Sequence, residues 1–271
     1  MSKADLTIVI IVRDEAQNLR YLLPSLDWAA RVIVLGNHCL DESETVAKQL
    51  GADWRKSESE SFAAFRNEIL PDITTEWVFY LDADERVTAK LRAEIEQKLV
   101  NSAGVAAYRL QRQDYHYGTL MRYGGWQNDL VTRIFRRSCL QGWHGEIHES
   151  PDFEGRAETL HAPLLHFTHR DTATNLAKSS RWTIKEARLL AAAGVKVTKL
   201  TIIRKMVMEF YRRFWRDQGW RDGMAGFVEA LVQACNRAFV YIQVWELSQK
   251  PTIEQKYQAL EEKVNLPGKA A

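Results

Sequence analysis

The stretch Trp77–Glu85 constrains the fold more than any other part of this chain. Five apolar or aromatic residues, Trp77–Leu81, are followed by three carboxylates, Asp82, Asp84 and Glu85. Such a run predicts a strand buried on both faces, as in parallel sheets covered by helices. Ligands bind at the carboxyl ends of those strands, and two carboxylates on one face there suit a hard cation. The alternative is a strand that ends in solvated acids.

Strand and helix patterns alternate along the N-terminal part of the chain. Apolar runs predict strands at Leu6–Val12 and Arg31–Leu35, with a short strand at Ala52–Trp54. Capping-box spacings predict that helices begin at Asp14 and Asp41. This alternation is typical of an α/β fold with a mostly parallel sheet flanked by helices. The sequence has no Gly-x-Gly-x-x-Gly or Walker motif, which argues against a dinucleotide-binding fold and a P-loop.

Further along, predicted strands are separated by longer segments. The strands are Val105–Arg109, Val131–Phe135 and Leu164–Phe167, and the segments between them, Tyr115–Gln127 and Gln141–Pro151, are rich in Gly, His and Trp. These two segments are predicted to be loops. Long loops on a rigid scaffold usually carry function.

From Asn175 onward the pattern is helical. We therefore expect a domain over residues 1–170 that carries the site, and a C-terminal helical extension over residues 171–271. The segment from Lys196 to Arg221 contains eight Lys or Arg residues and only two acidic residues. Four apolar residues are predicted to share one helix face: Ile203, Val207, Phe210 and Phe214. Such a basic amphipathic helix suits the surface of an anionic membrane; the alternative is a helix packed on the domain with a solvated basic side.

Composition restricts the classes of partner and compartment. The net charge of the 271 residues is +2 and no nucleic-acid motif occurs, so nucleic acid is not an expected partner. The cysteines Cys39, Cys139 and Cys235 are far apart, which fits a reducing compartment such as the cytoplasm. No apolar run reaches the roughly 20 residues of a membrane-spanning helix.

Six short motifs occur in an order that resembles family 2 glycosyltransferases. They are Val12–Glu15, Asp41, Phe65–Asn67, Leu81–Glu85, Arg133–Arg137 and His148–Glu149. The resemblance covers residues 6–170. Within the family, the chain is most similar to the bacterial enzymes that add a sugar, often glucose, to the lipopolysaccharide core. The pair Asp222-Gly223 in the helical part also fits that subgroup.

This resemblance implies a GT-A fold that binds a nucleotide-diphosphate sugar, with a UDP-sugar as the expected donor, and a divalent cation, Mg²⁺ or Mn²⁺. It implies transfer of the sugar, with inversion, to a saccharide or glycolipid acceptor of the lipopolysaccharide type. The expected location is the cytoplasm, with peripheral binding at the inner face of the plasma membrane.

The resemblance also assigns expected roles to residues. Asp84 is the expected metal ligand, and Asp82 binds the metal, its waters or the ribose. Glu85 is assigned to either role or to the start of the next helix. The expected nucleotide-binding residues are Asp14, Glu15, Asp41, Arg66 and Asp82. His166 is either a satisfied core histidine or a neighbour of the metal.

An inverting transfer needs a base that takes the proton of the acceptor hydroxyl. Glu149, which matches the family's His-Glu pair with His148, is the expected base. Asp129 and Glu146 are the alternative carboxylates.

The loop after the second strand departs from the family pattern. Members typically carry an Asp-Ser-Gly-Ser-Thr-Asp-like loop, whose first acid helps hold the base or ribose, whereas this chain begins the loop with Gly36 and keeps the final Asp41. The departure leaves open a member that binds a nucleotide sugar or a partner without turnover. A nucleotidyltransferase is a further alternative, but it usually needs a basic glycine-rich loop where Arg13, Asp14 and Glu15 stand.

Overall fold

The structure is a computed structural model that describes residues 3–59, 61–145 and 149–265. Its strands are β1 Ala4–Val12, β2 Ala29–Asn37, β3 Asp53–Ser57, β4 Trp77–Asp82, β5 Glu85–Val87, β6 Val105–His116, β7 Thr119–Leu120, β8 Leu130–Arg136, β9 Leu140–His144, β10 Ser150–Phe153, β11 Arg156–Thr159 and β12 Leu164–Phe167. Its α-helices are α1 Ala16–Leu22, α2 Ser43–Gln49, α3 Phe62–Ile69, α4 Ala89–Val100, α5 Thr172–Ala192, α6 Lys199–Tyr211, α7 Gly223–Leu247 and α8 Ile253–Asn265.

The chain forms two compact units. The sheet unit consists of the described residues up to Leu120 together with those of Trp126–Thr168. The helical unit consists of Met121–Gly125 together with the described residues from His169 onward.

Ten strands of the sheet unit form one sheet, in the order β3-β2-β1-β4-β8-β6-β12-β5, with β7 and β11 also paired to β6. Among the described residues, five of the nine pairings in this sheet are parallel. Strands β9 and β10 form a separate antiparallel hairpin. The predicted fold class, an α/β fold with a mostly parallel sheet flanked by helices and followed by a helical extension, is confirmed.

The apolar runs are continuous because both faces of the central strands are covered. In β1, Ile8 and Ile10 pack into one hydrophobic cluster, whereas Val9 between them packs into a second cluster on the opposite face. All three side chains are at most 1% exposed. Full burial of such a side chain contributes roughly 1.5–3 kcal/mol, so these strands form the stable framework for the loops at their ends.

Two local predictions were wrong. The capping box at Asp14 is absent because the Asp14 carboxylate accepts from the amide of Leu40, and helix α1 begins at Ala16, whose amide donates to Asp41. The segments predicted as loops at 115–127 and 141–151 contain the end of β6, strand β7 and parts of the β9–β10 hairpin. The contact between Asp14 and Leu40 joins two loops distant in sequence, which a local pattern does not reveal. Strands β7, β9 and β10 pair with sequence neighbours but are only two to five residues long, too short for a clear alternating pattern.

The helical unit is built on α5, α6 and α7. Ala187 of α5 packs with Val240 and Val244 of α7 in a small buried cluster. A π-helical turn at Arg212–Arg216 and a 3-10 turn at Gly219–Asp222 connect α6 to α7. Among the described residues, none of the helices combines the length and apolar character needed to cross a bilayer.

Candidate active site

Strand register brings the sequence-predicted residues to one edge of the sheet. In the parallel pairings of β1, Val12 lies opposite Gly36 of β2 and Ile11 lies opposite Asp82 of β4. The three strands therefore end at nearly the same level. The segments that carry Asp14, Asp41 and Asp84 begin from this common carboxyl edge, where α/β sheets bind ligands.

Asp82 is the last residue of β4, and a buried arginine holds it. Arg133 of the neighbouring strand β8 donates through Nη2 to Oδ2 of Asp82 and also to Oε1 of Glu85, at 2.9 Å in the second case. Burial raises the pKa of the Asp82 carboxyl, but the charges of the neighbouring arginines, Arg133 foremost, bring it below its usual value. Asp82 is therefore ionised at neutral pH.

Glu85 is fully buried and stabilises the turn between β4 and β5. Its Oε2 accepts from the backbone amide of Asp82 at 2.9 Å, and its Oε1 accepts from Arg133 and, at 3.2 Å, from Arg112. A buried carboxylate is tolerated only when such partners satisfy it. Glu85 thus positions Asp82 and is not at the start of the next helix, which begins beyond Thr88.

Asp129 belongs to the same charge network. Nε of Arg112 donates to its Oδ2 at 2.7 Å, and Nη2 of Arg112 lies 2.5 Å from the same oxygen. Asp129 is consequently linked through Arg112 to Glu85 and through Arg133 to Asp82. Sequence reasoning assigned no role to either arginine, although Arg133 stands in one of the family-like motifs; Arg112 lies within β6 and carried no local signal.

Asp84 lies in the turn after β4, next to a charged histidine. Nδ1 of His166 lies 2.6 Å from Oδ1 of Asp114, and its Nε2 lies 3.4 Å from Oδ2 of Asp84. Burial lowers the pKa of His166, but its bonds to Asp114 and Asp84 outweigh burial and raise the pKa to about 9. At neutral pH the protonated ring donates to both carboxylates. His166 is thus a satisfied buried histidine and also a neighbour of the expected metal ligand.

Arg66 and Glu149 form a second pair in the sheet unit. Nη1 of Arg66, on α3, donates to Oε1 of Glu149 at 2.5 Å. The Arg66 guanidinium lies over the ring of Trp143, with its carbon 4.6 Å from the ring centroid, and 5.7 Å from the centroid of Tyr80. Arg66 also lowers the pKa of Asp82, so the two groups interact electrostatically. The predicted residue His148 and the alternative Glu146 lie outside the described residues.

The carboxylates after β1 and β2 tie their two loops together. Oδ1 of Asp14 accepts from the amide of Leu40 at 2.6 Å, and Asp41 accepts from the amides of Ala16 and Ser43, both at 2.9 Å. Burial raises the pKa of Asp41, but its hydrogen bonds to Ser43 and to backbone amides bring it below its usual value. Both carboxylates therefore shape the loop edge from which they project.

Glu15, the last of the predicted nucleotide-side carboxylates, lies beside the turn into α1. Its Oε2 accepts from the side-chain amide of Asn18 at 2.7 Å, and Asn18 in turn accepts from Arg86 at 3.0 Å. Since Arg86 directly follows Glu85, this chain of contacts connects the loop after β1 with the segment after β4.

Gly36 has a packing reason to lack a side chain. A Cβ atom at this position would lie 2.1 Å from Cζ2 of the Trp54 indole. Trp54 is part of the neighbouring strand β3 and packs against the main hydrophobic cluster. The indole therefore occupies the space that the aspartate typical of the family would need.

The chain is similar in sequence to bacterial glycosyltransferases over most of its length. It is 22% identical over 266 residues to the lipopolysaccharide core biosynthesis glycosyltransferase LpsC of Rhizobium meliloti, covering 93% of this chain and 97% of LpsC. It is 23% identical over 261 residues to an uncharacterized glycosyltransferase of Rickettsia bellii, covering 88% and 85% of the two chains. No family model matches the chain. These relatives confirm the resemblance to glycosyltransferases.

Solved structures also match nearly the whole chain, and TarS is one example. TarS of S. aureus in complex with UDP-GlcNAc matches 96% of this chain and 92% of its own, at 12% identity and a TM-score of 0.48.

Proposed function

We propose that this relative of the bacterial glycosyltransferases is itself a metal-dependent enzyme that moves a sugar, with inversion, from a nucleotide-diphosphate donor to a saccharide acceptor. The observation that carries the proposal is the pair of partly exposed carboxylates at the carboxyl end of β4, with side-chain exposures of 37% for Asp82 and 20% for Asp84. Arg133 contacts the Asp82 carboxylate and His166 contacts the Asp84 carboxylate, and these contacts orient the two groups. Buried groups that fix two carboxylates at a sheet edge are typical of a built ligand site.

The residues present fit a divalent cation. Carboxylate oxygens are the ligands that Mg²⁺ and Mn²⁺ prefer, and Asp82 is ionised at neutral pH. We propose that Asp84 holds the metal, and that Asp82, whose Oδ2 is bound to Arg133, contributes its other oxygen to the metal, its waters or the ribose. When bound, the metal would neutralise the charge that develops on the diphosphate leaving group.

We propose Glu149 as the base that takes the proton of the acceptor hydroxyl. Its bond to Arg66 uses Oε1 and orients the carboxylate, and its side chain remains 20% exposed. Orientation of this kind keeps a base within reach of the proton it removes. Asp129 is the second candidate, but the double contact of Arg112 with one of its oxygens makes it the weaker one. His148, which precedes Glu149 in the His-Glu motif, is retained as a candidate catalytic residue.

The donor is proposed to be a UDP-sugar, with Asp14, Glu15, Asp41 and Arg66 on the nucleotide side. Asp14, Glu15 and Asp41 follow β1 and β2, at the same edge of the sheet where β4 ends with Asp82. The acceptor is proposed to be a lipid-linked or lipopolysaccharide-type saccharide, because LpsC is named for lipopolysaccharide core biosynthesis. The corresponding setting is the cytoplasm, at the inner face of the plasma membrane.

Thermal melting of the full chain tests the donor site. UDP-glucose, UDP-GlcNAc and GDP-mannose are added with and without Mn²⁺ or Mg²⁺, to the wild type, to Asp84→Asn and to the exposed control Asp152→Asn. A ligand at about 100 times its dissociation constant should stabilise the protein by roughly 2.7 kcal/mol. We expect one nucleotide sugar to stabilise the wild type and the control only with metal, and Asp84→Asn to lose the effect. Equal stabilisation of all three proteins, or of none, would contradict the proposed site.

A second function, binding of a nucleotide sugar without turnover, is favoured by Gly36 alone. The Trp54 indole leaves no room for the acid that the family uses at this point. Metal-dependent release of the sugar from the donor identified by melting separates the two functions. Turnover that disappears in Glu149→Gln, while donor binding persists, supports the enzyme; binding with no turnover at all supports the second function.

A further inference from the structure

Helix α6 of the helical unit presents one continuous apolar face to solvent. Each of its residues is between 55% and 73% exposed: Leu200, Ile203, Val207, Met208, Tyr211 and, in the π-helical turn that follows, Trp215. The spacings of three, four and seven place these residues on one side of the helix. Of the four residues predicted to share a face, Ile203 and Val207 belong to it, whereas Phe210 and Phe214 are half-buried.

The apolar surface continues from α6 onto α7. Phe227 packs edge-on against Phe210 and Phe214, with ring centroids 6.0 Å and 5.7 Å apart. On α7, Phe227 and its helical neighbours Met224 and Leu231 are also exposed. We call the six residues of the α6 face together with these three the apolar patch. Contiguous exposed apolar patches on soluble proteins commonly mark interaction sites.

The charged groups around the apolar patch are positive wherever they are exposed. Between residues 196 and 231 the exposed charged residues are Lys196, Lys199, Arg204, Arg216 and Arg221. The acids of this segment are not exposed. Glu209 is bound by Arg212 and Arg213, and Glu229 is buried.

The two remaining acids of the segment also have internal partners. Asp217 accepts from Arg216 at 2.8 Å. Asp222 accepts from the backbone amides of Arg122 and Tyr123 at 3.1 Å and 2.9 Å, both within the helical unit. All four acids thus have partners within the unit. Asp217 offsets the charge of Arg216, and Lys196, Lys199, Arg204 and Arg221 remain exposed.

We propose that the apolar patch is the surface by which the helical unit docks on an anionic lipid bilayer. A helix with an apolar face and basic neighbours lies in the plane of the interface, where its apolar side chains enter the acyl boundary. Basic residues near an anionic leaflet contribute attraction that salt screens. Tyr211, Trp215 and Trp220 supply rings of the kind that favour this depth.

A second copy of the chain fits this surface less well. Two identical patches would bring like charges together around their rims, and such charges repel. The inference deepens the proposed function, because it names the lipid surface at which the acceptor would be met. Vesicle binding is measured without any sugar transfer, so the two proposals fail separately.

Co-sedimentation of the full chain with vesicles tests the docking surface. One set of vesicles contains phosphatidylcholine alone and the other equal parts of phosphatidylcholine and phosphatidylglycerol. The double variant Ile203→Ser, Val207→Ser removes apolar contact, and Lys199→Glu, Arg204→Glu reverses the charge. Leu189→Ser, which removes an exposed leucine of α5 outside the apolar patch, is the matched control.

We expect the wild type and the Leu189 control to bind the anionic vesicles and to be released by high salt. The serine variant should bind about tenfold or more weakly, since two exposed aliphatic side chains are lost. The charge-reversal variant should lose its preference for anionic lipid. Melting temperatures equal to that of the wild type show that the variants fold. If the nucleotide sugar also raises their melting temperature as it does for the wild type, the donor site is intact and the two proposals are tested separately. The proposal is overturned if the wild type stays in the supernatant, or if the patch variants bind the vesicles as the wild type does. It is also overturned if the wild type is a dimer that the serine variant dissociates.

Discussion

Replacement of Arg133 by methionine should destabilise the sheet unit strongly. The guanidinium is 10% exposed and donates to both Asp82 and the fully buried Glu85. Methionine has a similar length but no charge and no donor. The substitution therefore leaves the Glu85 carboxylate buried with one of its two cations removed.

The expected loss follows from what remains around Glu85. Removing one partner of a buried ion pair costs about 3–5 kcal/mol, because the other charge is left without compensation. Glu85 keeps its contact with Arg112 at 3.2 Å and still accepts from the Asp82 amide at 2.9 Å. We therefore expect the lower end, about 3 kcal/mol, which corresponds to a fall in melting temperature of roughly 6–12 °C for a unit of this size.

Urea unfolding followed by far-UV circular dichroism and by tryptophan fluorescence measures the loss. The matched control is Arg55→Met, which removes a half-exposed arginine that lies 3.3 Å from Asp72; an exposed pair of this kind contributes less than about 1 kcal/mol. The double variant Arg133→Met, Glu85→Gln should recover part of the stability, since it removes the uncompensated charge as well. The reasoning is refuted if Arg133→Met unfolds at the same urea concentration as Arg55→Met, or if the double variant is less stable than the sum of its two single changes.

Three further predictions follow from the packing and from the proposed metal site. Gly226→Ala should destabilise the helical unit by about 1–3 kcal/mol in thermal melting, because its Cβ would lie 1.9 Å from the carbonyl oxygen of Gly219; a melting temperature equal to the wild type would contradict this contact. Gly36→Ala should cost a similar amount through Trp54, and far less in a Trp54→Ala background; simple additivity of the two changes would show that the indole is not the obstacle. Removal of divalent cations with EDTA should abolish the stabilisation by the nucleotide sugar, and Mn²⁺ should restore it; stabilisation that survives EDTA would exclude a metal role for Asp84.

The central strands could be predicted because their signal is local. In Trp77–Leu81 every residue is apolar, since strand β4 is covered on both faces of the sheet. The acids that follow therefore had a predictable place at the carboxyl edge. Strands β7, β9, β10 and β11 were not predicted, because they are two to five residues long and show no clear alternating apolar pattern. Strand β11 is in addition paired with β6, which is far away in sequence.

The sequence predicted the partly exposed carboxylates of the candidate site, but it did not predict the buried arginines that contact them. Asp82 and Asp84 stand together at the end of a predicted strand, a pattern that indicates a cation site but also fits solvated acids. Arg112 lies in β6, and no neighbour in sequence indicates that its side chain reaches Glu85. The assignment of Asp14 as a helix cap failed for the same reason, because its actual partner, the amide of Leu40, comes from another loop.

The amino-acid sequence by itself determined the α/β class, the acidic strand end and the basic, apolar character of the helical part, because periodicity and residue type act over a few neighbouring positions. Only the tertiary structure decided which charges pair. It placed Arg133 between Asp82 and Glu85, joined Arg66 to Glu149, and filled the space beside Gly36 with Trp54. The physical reason is that burial and hydrogen bonding depend on distances between strands that meet only after the sheet has formed.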